Sequence, residues 1–551
     1  MALLACLLVS ARPCAAAERA SAAPPLPGFT LHWDFVNSPA ELDRLLTFTL
    51  DQGARILNVV PPPHIWEDPT SLAALEHVFE RTRARGVAVV LNRIDGSGFA
   101  RSAAERSNWL YTNVLTEPGR LPSGEPTPDY FLATVGKPDY ERWLREETAF
   151  YAEHFSGQDN LLAFGVGLFN EPFVSQRGAL LCYDERTRLY EVGQYTRYAR
   201  EVFQRYVERA CHGSLAEVNR RYRTHCGAIA ELPLPKNEYD PAFGDAPAAY
   251  WDFLAAINGW VVDQLEACRA LWKDKSRRPV PFMLQFNGAV PEKFALGRPA
   301  FAALDVVDWI SRADALGLSF YTNCGFADWG HASDRATVGL LGLGALLGKA
   351  VYVLEAGSEC DGAVLRRGEL EFFARSVRPL APRSVIYEFT KMSYCESFAT
   401  NAGKLMDNEW RINARAAIAV RRALAEAQRP DARSAGRLVF DPLDERPDAR
   451  ALLERWALMR RSLQEPLTFV TRAALDALPA GSTLYVGDGR EHDGDVARLA
   501  TRGVRVRPVR SLIGGTSPTP RGSGRSSQAS PASAVSSPSP ESPSSHRRGT
   551  P

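Results

Sequence analysis

The stretch Leu161-Leu-Ala-Phe-Gly-Val-Gly-Leu-Phe-Asn-Glu-Pro172 is an almost unbroken apolar run that stops at Asn170, Glu171 and Pro172. A run this short reads as a buried strand, and the polar residues and proline mark its end. Carboxylates at the carboxyl ends of buried strands are where barrels and doubly wound sheets place their chemistry. A second run of the same kind, Val351-Tyr-Val-Leu-Glu-Ala-Gly357, delivers another, Glu355.

Outward from these two runs the pattern repeats. Further strands are expected at residues 29–35, 54–60, 87–92, 280–287, 315–321 and 384–390, with the run around Glu355 starting at 350. Helical spacing of apolar residues falls between them, at 39–52, 72–85, 140–155, 185–211, 214–223, 248–273, 337–347 and 408–427. Strands alternating with helices imply parallel βα units. Eight such strands over residues 28–430 predict a (β/α)8 TIM barrel with insertions, the longest being the loop 95–138 and the helical insert 185–273. An open doubly wound sheet would want a glycine-rich phosphate turn after the first strand, where His32-Trp33-Asp34 stands instead.

Past residue 434 the pattern restarts. Strands at 437–440, 467–470 and 483–486, with helices at 449–461 and 493–500, predict a small α/β domain over 436–512. Residues 513–551 are Ser, Pro, Gly and Arg with almost nothing apolar, the composition of a disordered tail. At the other end, the apolar segment Met1-Ala-Leu-Leu-Ala-Cys-Leu-Leu-Val-Ser10 leads to Ala15-Ala-Ala17. That is the form of a signal peptide over 1–17 and implies a secreted or periplasmic protein, although no Lys or Arg precedes the apolar run.

Composition narrows the function. With 65 basic against 64 acidic residues the net charge is +1, which gives no electrostatic case for nucleic-acid binding. No later run is long and apolar enough to span a bilayer. The nine cysteines contain no Cys-x-x-Cys, and the nine histidines no His-Glu-x-x-His, so neither a metal nor another cofactor is implied. There is no Gly-x-Ser-x-Gly elbow for a serine hydrolase either.

Two carboxylates on one barrel face are what glycoside hydrolysis requires. One carboxyl group protonates the leaving oxygen, and the other, about 5–5.5 Å away in the retaining geometry, traps the sugar carbon as a covalent intermediate. Asn170 offers an amide to a sugar hydroxyl beside the scissile bond, and Tyr321 a hydroxyl to the neighbouring nucleophile. Trp329 is a candidate stacking surface for a sugar ring, while His32 and Asn287, at the ends of the first and fifth strands, are candidate contacts for substrate hydroxyls.

Phe169-Asn-Glu-Pro172 on the fourth strand, together with Glu355 on the seventh, resembles the clan of retaining glycosidases that includes families 2, 5 and 42. The Asn-Glu-Pro form is most similar to family 5, the cellulase and mannanase group. The insert Ser214-Leu-Ala-Glu-Val-Asn-Arg-Arg-Tyr222, Leu232-Pro-Leu-Pro235 and Tyr250-Trp-Asp-Phe253 looks instead like family 42, the β-galactosidase group. The small domain after the barrel stands where that group has its second domain.

The resemblance implies Glu171 as acid/base, Glu355 as nucleophile, Asn170 on a sugar hydroxyl, and a carbohydrate substrate without cofactor. Two departures separate the chain from family 5: Asn58 to Pro61 stand where an Arg is usual, and Tyr387, Phe389 and Tyr394 replace the usual strand-eight Trp. Endo-glucanase or mannanase action and β-galactosidase action both remain open. A non-catalytic carbohydrate-binding barrel is the alternative outside the enzymes, and oligomeric state is not legible.

Overall fold

The computed structural model describes residues 25–32, 38–61, 65–94, 120–124, 134–167, 181–184, 189–237, 239–244, 248–287, 306–322, 341, 344–345, 347–358, 377, 382–387, 422, 436–439, 467–470, 475, 478–486 and 494–508. The expected leader, the tail from 513 and the helices at 408–427 and 449–461 lie outside these residues, apart from Arg422, as does most of the helix at 337–347. The compact unit to which the described residues belong ends at Leu512.

Eight parallel strands close into a barrel. In chain order they are β1 (Leu26–His32), β2 (Ile56–Val60), β3 (Ala88–Ile94), β4 (Leu161–Gly167), β7 (Phe282–Asn287), β8 (Ala315–Thr322), β9 (Ala350–Ser358) and β10 (Ser384–Tyr387). The short antiparallel ribbon of β5 (Leu181–Asp184) and β6 (Leu189–Val192) stands apart, between β4 and β7 in the chain. The fold is therefore the (β/α)8 TIM barrel that the strand count implies. β1 starts three residues ahead of its expected position because Leu26 is needed for closure, where it pairs with Ser384 of β10.

The helices follow local chemistry. α1 (Pro39–Asp51) and α2 (Pro69–Ala84) cover the first strands. α2 opens on Asp68, whose carboxylate accepts the Thr70 N–H, and buries Leu75, Val78, Phe79 and Thr82 at helical spacing. It gives way to β3 through Gly86, whose φ of +64° suits a residue without a Cβ. α3 (Pro138–Phe155) buries Tyr140, Trp143, Leu144, Glu147, Tyr151 and Phe155 against the barrel.

In the insert, the single helix expected over 185–211 does not form. Its first part is β6, and only α4 (Arg197–Ala210) is helical, starting where the Thr196 hydroxyl accepts the Ala199 N–H. The Leu189-Tyr-Glu-Val192 run contains the strand formers Tyr190 and Val192, and its Val192 N–H donates to the Lys236 carbonyl. A tertiary partner thus overrides a strong local helical signal.

α5 (Leu215–Tyr222) and the 28-residue α6 (Ala248–Lys275) complete the insert, and α7 (Val306–Ser311) precedes β8. The three motifs of the insert pack together. Arg221 grips Asp252 with two hydrogen bonds of 2.7 and 2.9 Å, and the Tyr222 hydroxyl donates to the same carboxylate at 2.8 Å. Burial, and then the Asp252 charge, holds the Tyr222 hydroxyl protonated far above the ordinary tyrosine range. Leu232 and Leu234 are buried in the main core.

Beyond the barrel, β11 (Gly436–Val439), β12 (Leu467–Val470), β13 (Thr483–Val486) and β14 (Arg505–Pro508) form a separate parallel sheet in the order β12-β11-β13-β14. β14 is a strand that the sequence reading left out. Its alternation of exposed Arg505 and Arg507 with half-buried Val506 and Pro508 is that of an edge. α8 (Gly494–Thr501) adds Val496 and Leu499 to a small core with Leu475, Leu484 and Val486. Tyr485 of β13 belongs to the main core, so this sheet packs on the rest of the unit.

Candidate active site

Along the barrel axis the lumen changes character. At the amino-terminal end it is filled by Ile56, Val90, Ala163, Met283, Ala315, Tyr352, Leu354 and Ile386, a packed apolar plug. Further along come five polar residues, Thr30, Asn58, Asn92, Gln285 and Ser319, each with no exposed surface. The Gln285 amide donates to the Ser319 hydroxyl at 3.2 Å, bridging β7 and β8. Asn92 is accommodated because its register partner on β4 is Gly165, where a Cβ would stand 2.6 Å from Asn92 Oδ1. The Asn92 amide, Asn58 Oδ1 and Gln285 Oε1 have no hydrogen-bond partner among the described residues. Buried amides of this kind need hydroxylic or water partners. A polar floor thus lies beneath the carboxyl-terminal rim.

That rim holds several of the expected site residues. His32 is the last residue of β1 and Asn287 the last of β7, as their strand-end reading requires. Tyr321 is the penultimate residue of β8 and pairs with Gly357. Glu355 differs from expectation in one respect: it does not end its strand, because β9 runs on to Ser358.

The register explains how position 355 is placed. Between β8 and β9, Leu318 pairs with Val353, but the next pair is Ser319 with Glu355. Between β10 and β9, Val385 pairs with Val353, but Tyr387 pairs with Ala356. Both neighbours therefore see one extra residue in β9, a bulge at Leu354–Glu355. Tyr352 and Leu354 belong to the lumen plug and Val353 to the outer core. An unbroken strand would put position 355 on the outer face with Val353. The bulge instead sets it level with Ser319, and Ser319 is in turn level with Asn287 of β7. Asn287, Ser319 and Glu355 thus stand in register on three adjacent strands.

Asn170, Glu171 and Trp329 lie outside the described residues; β4 is described to Gly167, four positions before Glu171. Most of the loop 95–138 is outside them too, with 120–124 and 134–138 described. Among the described residues no group of His, Cys, Asp or Glu could hold a metal ion, and no helix is long and apolar enough to cross a membrane.

The polar floor is what the sequence reading missed. Its signal was present: Thr30, Asn58, Asn92, Gln285 and Ser319 each follow an apolar residue inside or near the end of an apolar strand, at the alternate positions that face a lumen.

No family model matches the chain. No curated protein sequence matches it either. Solved structures do. The β-galactosidase from the psychrophilic Marinomonas ef1 superposes with a TM-score of 0.60 at 13% identity, over 88% of this chain and 75% of that one. The cold-adapted β-galactosidase from Rahnella sp. R3 gives 0.59 at 11% identity, over 89% and 71%. The catalytic domain of β-amylase from Paenibacillus polymyxa gives 0.52 at 12% identity, over 74% and 99%. The class these likenesses define is one of fold: a (β/α)8 barrel shared with solved glycosidases.

Proposed function

We propose that this protein is a retaining β-glycosidase of the clan that includes families 5 and 42, acting on β-linked oligo- or polysaccharides. Glu171 is the acid/base and Glu355 the nucleophile. The observation that carries this reading is the double-sided bulge in β9, which sets position 355 in register with Ser319 of the polar floor and with Asn287 at the end of β7. Bulges are enriched next to active sites, where they re-aim a residue or end pairing. The closed barrel supports the reading further, because β4 runs parallel to β9 and is described to Gly167, and in the sequence Glu171 follows four residues later.

In the first step Glu171 donates its proton to the glycosidic oxygen while Glu355 attacks the anomeric carbon, forming a glycosyl-enzyme and releasing the leaving group. In the second, Glu171 takes a proton from water, which attacks the same carbon, frees the sugar and regenerates the Glu355 carboxylate. Asn170 and Asn287 serve substrate hydroxyls, with His32 at the opposite wall. Tyr321, two residues past Ser319, serves the nucleophile, and Trp329 supplies a stacking face.

The test is turnover of nitrophenyl β-galactoside, β-glucoside and β-mannoside by the whole chain and by Glu171→Gln and Glu355→Gln. Loss of most turnover in both variants is expected. Normal turnover in Glu355→Gln would overturn the assignment. A folded wild-type chain that binds sugars and cleaves none would point to the non-catalytic barrel instead. Galactoside comes first in the screen because the similar folds include β-galactosidases.

A further inference from the structure

At the bulge in β9 two backbone carbonyls accept hydrogen bonds from side chains of three other strands. The Thr30 hydroxyl of β1 donates to the Leu354 carbonyl at 2.8 Å, reaching past β10 to a strand that is not its neighbour in the sheet. The Asn58 amide of β2 lies 3.5 Å from the same carbonyl and 3.4 Å from the Thr30 hydroxyl oxygen, backing that bond. On the other side, the Ser384 hydroxyl of β10 donates to the Val353 carbonyl at 3.1 Å. Thr30, Asn58 and Ser384 have no exposed surface, so water does not compete for these bonds. The two carbonyls immediately before Glu355 are thus both held by side chains.

We propose that Thr30, Asn58 and Ser384 are positioning residues that clamp the β9 bulge and so fix Glu355 on the rim for attack. The inference rests on the reading of Glu355 as nucleophile. Its physical basis is twofold. A bulge leaves a residue outside the ladder, and the carbonyl it frees is costly to bury without a donor. A regular strand is the competing arrangement, and it would return position 355 to the outer face. The clamp stabilises the bulged arrangement over that competitor, and attack by a carboxylate is sensitive to displacements near 1 Å.

Thr30→Val keeps the branched shape and removes the hydroxyl, while Thr30→Ser keeps the hydroxyl. The expected result for Thr30→Val is a kcat lowered about ten- to a hundredfold with KM within about twofold, the signature of a reacting group displaced rather than of lost binding. Amide hydrogen exchange in the peptide spanning 350–358 should speed up in Thr30→Val more than in other barrel strands. Thr30→Ser should restore both. Ser384→Ala, a smaller change on the other flank, should move both readouts the same way and replaces Thr30→Val if that variant does not fold.

Wild-type kcat in the hydroxyl-deleted variants, with Glu355→Gln inactive, overturns the clamp and leaves the glycosidase reading standing. Wild-type turnover in Glu355→Gln overturns that reading and this inference with it. A lowered kcat that Thr30→Ser does not restore, or exchange that rises equally in all strands, assigns these residues to general stability and also overturns the clamp.

Discussion

Arg93 of β3 and Glu147 of α3 form an ion pair that is almost wholly removed from solvent, with side chains 2% and 0% exposed. The Arg93 guanidinium also lies 4.4 Å from the centre of the Trp143 ring, one helical turn before Glu147. Arg93 directly follows Asn92 of the polar floor, so this pair ties the outer face of β3 to its helix just behind the lumen. Breaking one side of a buried pair leaves an uncompensated charge, which costs about 3–5 kcal/mol. Glu147→Ala is therefore expected to lower stability by that amount in urea unfolding. Replacing both partners with apolar residues should cost much less than Glu147→Ala alone.

Gly165 gives a second prediction. A methyl group there would stand 2.6 Å from Asn92 Oδ1 and 2.8 Å from Met283 Cε. Gly165→Ala should cost about 1–3 kcal/mol through overpacking, seen as a lower urea midpoint. Pairing it with Asn92→Ala, which removes the nearest clash, should recover part of that loss.

Acid stability is predicted to depend on Asp314, which directly precedes β8. Burial pushes its carboxyl group up, but hydrogen bonds from Arg269, the Phe282 N–H at 3.3 Å and Lys273 at 3.2 Å together outweigh burial and hold it below its ordinary value. In the unfolded chain that value is about 3.9. Because the folded value is the lower one, the stabilisation is fully present above about pH 4 and is lost as pH falls through the folded value. Asp314→Asn should therefore be less stable than the wild type at pH 7, and the gap should narrow below pH 4, by thermal unfolding at each pH.

The assigned roles of the two glutamates separate in a rescue experiment. With a good aryl leaving group, a Glu171→Gly variant should still form the glycosyl-enzyme but hydrolyse it slowly for want of a base. Azide needs no base, so it should raise turnover and give a β-glycosyl azide. The same treatment of Glu355→Gly should not return a β-configured product, since no covalent intermediate on the enzyme precedes attack.

The barrel is legible in the sequence because its signals are local. Each strand is a short apolar run, each helix an amphipathic one, and Ser214 and Gly86 mark their boundaries by their own chemistry. The helix expected over 185–211 gives way at 189–192, where strand formation depends on partners elsewhere in the chain, such as Lys236 for Val192. Glu355 reads as a strand end because the residues after it, Ala356 and Gly357, are weak strand formers alone. Pairing with Phe320 and Tyr321 carries β9 past them.

The amino-acid sequence by itself determined the order of the eight barrel strands, the carboxylates at Glu171 and Glu355, and the near-neutral charge, since these are properties of neighbouring residues and totals. Tertiary structure alone decided which face of the sheet position 355 occupies. A strand has a side-chain period of two, and one inserted residue reverses every position after it. That insertion is defined by β8 and β10, and it is held by Thr30, Asn58 and Ser384, residues far away in the chain that only barrel closure brings together.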